Sequence, residues 1–171
     1  MKKINVKFNN SIGKFVGSID QDIVAAIGNF DGIHIGHQKL IYEAKNEAKK
    51  RNLPFSIITF TPHPRDFFSK NNANFKITDE LEKQRLLKNL EVDYYINISF
   101  DNYIRELEPK EFIKNILKNL LNVKILFAGQ NFRFGKDRSG SLVDSFKIFR
   151  EFDIDPLISD LLKKDQNTIS S

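Results

Sequence analysis

Short apolar runs alternate with segments of helical spacing along almost the whole chain, and nothing else in the sequence constrains the fold as tightly. Ile23-Val24-Ala25-Ala26-Ile27 is apolar without a break, as a strand buried on both faces must be. From Gln38 to Arg51, Leu40, Ile41, Ala44 and Ala48 recur at helical spacing, and Glu47 stands four residues before Arg51, where opposite charges support a helix. Leu53-Pro54 breaks that helix. Residues 55–60, 92–98 and 123–128 read as three further strands, rich in β-branched and aromatic residues. Residues 78–90 read as a helix with Thr78 as its N-cap. Pro109 suits a first helical position, and Phe112, Ile113, Ile116, Leu117, Leu120 and Leu121 then draw an apolar stripe. A helix over 142–152 and a strand over 154–158 close the series. Residues 1–20 read only as a strand or ribbon. Strands separated by helices predict an α/β, Rossmann-like parallel sheet with helices on both faces.

At 171 residues the chain is sized for one domain, and 16 Phe supply ample core. The absence of Cys excludes disulfides, thiolate catalysis and Cys-ligated metals. A formal net charge of +5 favours anionic partners, nucleotides among them. Lys2-Lys3 is followed by no apolar h-region, and no apolar run is long enough for a membrane helix, so a cytoplasmic protein without a membrane partner is expected.

Three unusual segments each follow an expected strand, where ligands of such sheets sit. The first is Gly28-Asn29-Phe30-Asp31-Gly32-Ile33-His34-Ile35-Gly36-His37. Glycines at a strand-to-helix turn bring backbone N–H donors and the positive end of a helix dipole to a phosphate, and His34 and His37 add side-chain donors. The ligand expected there is a nucleoside triphosphate, with Mg²⁺ bridging its phosphates. In adenylyl transfer the attacking phosphate is already ionised, so orientation and charge neutralisation matter more than a strong base. Asp31 suits either a helix cap or a contact to nucleotide or metal, and Phe30 either the pocket or the core.

The second segment, Phe60-Thr61-Pro62-His63-Pro64-Arg65-Asp66-Phe67-Phe68, is a proline-braced loop. Its phenylalanines suit either stacking on a flat ring or closing the core. The third, Gly129 to Gly140, mixes glycines, Phe132, Phe134, Arg133, Lys136 and Arg138. It has the makings of a lid over an anionic aromatic ligand.

Together these segments resemble the adenylyltransferase module of the prokaryotic bifunctional riboflavin kinase/FAD synthetase family, within the HxGH nucleotidylyltransferase superfamily. Its carriers are Gly28-Asn29-Phe30-Asp31-Gly32-x-His34-x-Gly36-His37, Phe60-Thr61-Pro62-His63-Pro64 and Gly129-x-Asn131-Phe132-Arg133-Phe134-Gly135. The resemblance implies transfer of AMP from ATP to FMN, giving FAD and pyrophosphate, with Mg²⁺ carried on the ATP phosphates. It implies that His34 and His37 are catalytic. It places ATP against Gly28, Asn29, Phe30, Asp31, Gly36, Ser170 and Ser171, and FMN against Pro62, Pro64, Phe68, Asn131, Arg133 and Phe134. No residue is assigned as a direct metal ligand.

The family continues its last motif as Ile-Ser-Ser-Thr-x-x-Arg, whereas the sequence here stops at Ile169-Ser170-Ser171. Residues 1–171 are therefore expected to be an FMN adenylyltransferase domain cut within that motif. The family's riboflavin kinase domain, a partner in a full-length chain, would lie beyond it. Ser141 stands where the family often has an acidic residue. Two other readings remain: a relative with a cytidylyl- or pantetheine-phosphate-type acceptor, and a basic nucleotide- or RNA-binding module. The proline/phenylalanine loop and the Asn131–Gly135 run argue against the first, and the second has only the positive charge and the one Phe/Arg loop in its support.

Overall fold

The computed structural model describes residues 1–33, 35–67, 76–160, 163–164 and 167–168. Seven strands form one sheet: β1 Lys2–Asn9, β2 Lys14–Val16, β3 Ile23–Ile27, β4 Phe55–Thr61, β5 Tyr94–Ser99, β6 Val123–Gly129 and β7 Asp155–Ser159. Their spatial order is β2-β1-β5-β4-β3-β6-β7. All neighbours are parallel except the β1–β2 hairpin at one edge. β3 lies between β4 and β6, so the chain winds outward one way to β5 and then returns to wind the other way. That reversal at the carboxyl ends of β3 and β6 is the crevice in which open α/β sheets bind ligands.

The two sheet faces bury two separate cores. Ile23, Ala25 and Ile27 of β3 face one layer with Ile58, Ile96 and Leu126. Val24 and Ala26 face the other with Ile57, Tyr95 and Phe127. The period of two forces this split, and an unbroken apolar run satisfies both sides at once. The helix α1, Ile35–Arg51, covers the second face with Leu40, Ile41, Ala44 and Ala48. The helices α2, Pro64–Phe67, and α3, Lys76–Asn89, follow β4, and Leu87 of α3 joins the same core.

On the opposite face, α4 spans Asn102–Glu106 behind an N-cap in which the Asp101 carboxylate accepts from Ile104 N at 3.0 Å. The helix α5, Pro109–Glu111, starts on proline and runs on through Phe112–Leu120 in wider π-type turns, with Leu121 N donating to Ile116 O at 3.1 Å. Its stripe of Phe112, Ile113, Ile116 and Leu117 is fully buried. A short helix α6, Phe146–Glu151, completes that layer, and β8 Lys163–Lys164 pairs with β9 Asn167–Thr168 in a small separate ribbon.

Strand ends shift by one or two residues from expectation, and three helix starts differ as well. α1 begins at Ile35 rather than Gln38, close behind the 3-10 turn Asp31–Ile33. α3 begins at Lys76, so Thr78 lies inside the helix and not at its cap. The last helix begins at Phe146, since Ser141 caps a preceding turn by accepting from Asp144 N at 3.0 Å.

Candidate active site

The turn after β3 is held by its own backbone. Gly28 N donates to Ile58 O at 3.1 Å, keeping the chain against β4 as it leaves the sheet. Phe30 follows with φ of 53° and Ile33 with φ of 43°. Left-handed conformations at an aromatic and a β-branched residue are costly, and such strain collects at binding sites. The turn at Phe30 drives its ring inward. It is 0% exposed and sits 5.1 Å from the His37 ring. Phe30 is thus a floor beneath the turn, outside the cleft lining.

His37, 4% exposed on the first turn of α1, lines the cleft together with Gly28, Asn29 and Gly36. Asp31 is not part of that lining. Its carboxylate lies 3.6 Å from His63 Nε2 and 3.7 Å from Lys83 Nζ, so it ties the first loop to the second and to α3.

The loop after β4 supplies His63, Pro64 and Arg65 to the same cleft. Arg65 N donates to His63 Nδ1 at 3.0 Å, which directs Nε2 toward Asp31. Burial holds the His63 pKa below its ordinary value, with the Asp31 charge pulling the other way. Pro62 carries a cis bond to Thr61 and lies outside the lining.

The loop after β6 forms the far wall. Asn131, Arg133 and Phe134 all line the cleft. Phe134 pairs with Gly140 by two backbone hydrogen bonds of 3.0 and 2.8 Å. A Cβ at Gly140 would stand 2.8 Å from the Phe134 ring, so only glycine closes that bridge undistorted. Lys136 N donates to Leu107 O at 2.7 Å, which ties the loop to the segment after α4.

The resulting cleft holds about 530 Å³, within the range of small-molecule sites. The lining mixes the cations Arg65, Arg105, Arg133, Lys136 and Arg138 and the acids Glu106 and Asp137 with the phenylalanines Phe60, Phe100, Phe112, Phe132 and Phe134. Phe60 and Phe100 meet edge-on at 6.1 Å, Phe112 and Phe134 lie tilted at 5.5 Å, and Phe132 stacks on Phe134 at 6.0 Å.

The model for the family described as FAD synthetase matches residues 17–171. The chain belongs to the FAD synthetase family. Among its relatives are the bifunctional riboflavin kinase/FMN adenylyltransferases of Buchnera aphidicola from Schizaphis graminum, 34% identical over 90% of this chain, and of Escherichia coli K12, 38% identical over 77% of it. The chain spans 49% and 42% of those two proteins, about half or less of their length. A solved Streptococcus pneumoniae chain, described as a macrolide-efflux protein, superposes with a TM-score of 0.77 at 28% identity over all of this chain and 54% of its own. Efflux is a description of that protein. Among the described residues here, no helix is long and apolar enough to cross a membrane.

Of the site residues expected from the FAD synthetase resemblance, the structure brings together Gly28, Asn29, Gly36, His37, Pro64, Asn131, Arg133 and Phe134 around one cleft. Phe30, Asp31 and Pro62 lie beside it. His34, Phe68, Ser170 and Ser171 lie outside the described residues. The cleft also exposes residues that sequence reasoning did not single out. Phe100 and Arg105 follow β5, a strand with no marked motif after it, and Ser159 ends β7. Their only sequence signal was position at the carboxyl end of a strand.

Proposed function

We propose that the chain transfers the adenylyl group of ATP to FMN. The observation that carries this reading is the convergence of His37, five cations and five phenylalanines on one cleft at the carboxyl ends of β3, β4 and β6. A phosphate oxygen of FMN attacks the α-phosphorus of ATP. The bond from that phosphorus to the bridging oxygen breaks, leaving FAD and pyrophosphate. Gly28, Asn29 and Gly36 bring backbone against the triphosphate at the α1 N-terminus. His37, with His34, stabilises charge on the phosphoryl oxygens at the transition state. Phe134, Pro64 and Phe68 flank the isoalloxazine ring, and Asn131 and Arg133 hold the polar edge of FMN.

No group of three or more acidic or histidine ligands exists among the described residues. The side-chain oxygen of Asn29, buried in the cleft lining, has no hydrogen-bond partner. That donor set fits Mg²⁺ held mainly by phosphates and water, with Asn29 as the residue that would add a protein oxygen. When bound, the ion neutralises phosphoryl charge. In the full-length protein a riboflavin kinase domain accompanies this one, as the names of its relatives suggest, and the cytoplasm is its setting.

The test is chromatography of FMN, ATP and Mg²⁺ incubated with the full-length protein. FAD and pyrophosphate in equal amounts are expected. No FAD, with cytidylyl transfer or salt-sensitive RNA binding in its place, overturns the reading. His37→Ala is expected to lower kcat about 10²–10³-fold while FMN affinity stays within about threefold. Equal loss of both contradicts the role given to His37.

A further inference from the structure

We propose that Lys83 is a positioning residue for ATP, acting from behind the signature turn without touching the cleft. The role rests on the adenylyl-transfer reading. Lys83 belongs to α3, 54 residues from Asn29, yet its ammonium donates to the Asn29 backbone carbonyl at 2.9 Å. Its side chain is only 12% exposed. Thr59 Oγ1 donates to the same carbonyl at 3.4 Å. The ammonium also lies 3.7 Å from Asp31 Oδ1 and 3.9 Å from Glu80 Oε2. Glu80 is fixed in turn, accepting from Gln84 Nε2 at 3.3 Å and from the Tyr95 hydroxyl.

A nearly buried ammonium needs partners for its charge and its three protons. Two of its partners, the Asn29 carbonyl and the Asp31 carboxylate, belong to the signature turn, and the third, Glu80, to its own helix. Asn29 lines the cleft, and Phe30 and Ile33 just beyond it take left-handed conformations. Such residues hold their conformation only when their surroundings over-determine it. Phe30 packing fixes the turn from below, and Lys83 and Thr59 fix its carbonyl from the side. If the Asn29 carbonyl swings, the donors of the turn and the first turn of α1, with His37, move with it.

A purely structural Lys83 would anchor α3 to the sheet. Leu87, fully buried on the same helix, already does that. The two roles separate by kinetics. In the full-length protein, Lys83→Met is expected to lower kcat/KM for ATP about 10–100-fold, the cost of misplacing reacting groups by about 1 Å. FMN affinity, read by flavin fluorescence quenching, stays within about threefold. Leu87→Ala is expected to lower the melting temperature while kcat/KM per folded molecule holds within about threefold.

Should Lys83→Met not fold, Lys83→Arg decides the matter. It keeps the charge but puts a planar fork where a point donor is needed, and a loss of about 3–10-fold in kcat/KM for ATP is expected. A Lys83→Met protein that only melts earlier, as Leu87→Ala does, overturns the proposal. So does an Arg variant with unchanged ATP kinetics. Wild-type protein that makes no FAD overturns the adenylyl-transfer reading, and this role falls with it.

Discussion

Phe134 was expected to belong to the flavin site, yet the structure makes it a core residue as well, and the two roles predict different losses. Its ring is 5% exposed. It contacts Phe112 at 5.5 Å, Phe149 at 5.8 Å and Phe132 at 6.0 Å, joining the loop after β6 to the helices α5 and α6. Truncating a buried phenylalanine costs about 3–5 kcal/mol in lost transfer energy and cavity. The bridge between Phe134 and Gly140 keeps the backbone in place, so the cavity cannot simply collapse. An unfolding entropy of about 2.1 cal/mol/K per residue over 171 residues gives about 0.36 kcal/mol/K. Phe134→Ala should therefore lower Tm by about 8–14 °C. Thermal unfolding followed by circular dichroism reads this directly. The same change at Phe132, which is only half-buried, should cost clearly less. A Phe134→Ala shift under about 3 °C, with FMN binding lost, would refute the core role and leave only a ligand contact.

Arg133 makes the opposite case. Its pair with Asp144 at 3.3 Å is exposed on both sides, and such pairs contribute little to stability. Arg133→Ala should leave the urea midpoint essentially unchanged while raising the Kd for FMN. A loss of stability without a loss of affinity would contradict the assignment. His63 predicts a pH effect. Burial holds its folded pKa below the ordinary value near 6.5, so the unfolded chain takes up a proton first as pH falls. The native state keeps this contribution in full above about pH 6.5, loses it progressively below, and levels off under the folded pKa. His63→Gln should flatten the fall in urea midpoint between pH 7.5 and 5. An identical slope in both proteins would show that His63 does not carry it.

The sequence by itself determined the central strands β3 to β7, the main helices that cross between them and the class of fold, because each is written in local periodicity; the short helices Pro64–Phe67 and Asn102–Glu106 and the β1–β2 hairpin are too short or irregular to show one. An all-apolar β3 requires burial on both faces, and the Phe112 to Leu121 stripe requires a sheet to lie on. It also marked the three loops, since glycine and proline restrict backbone within a few residues. Only the tertiary structure decided which side chains those loops present. Nothing in the spelling of Asn29-Phe30 says that a positive φ buries the Phe30 ring while its neighbour Asn29 stays in the cleft lining. Nothing in Thr61-Pro62-His63-Pro64 says that Pro64 enters the lining and Pro62 does not. Side-chain direction depends on dihedral angles that packing imposes from elsewhere. The same holds for Lys83, which reads as an ordinary helix lysine until α3 folds against β4 and β5 and brings its ammonium to a carbonyl 54 positions earlier.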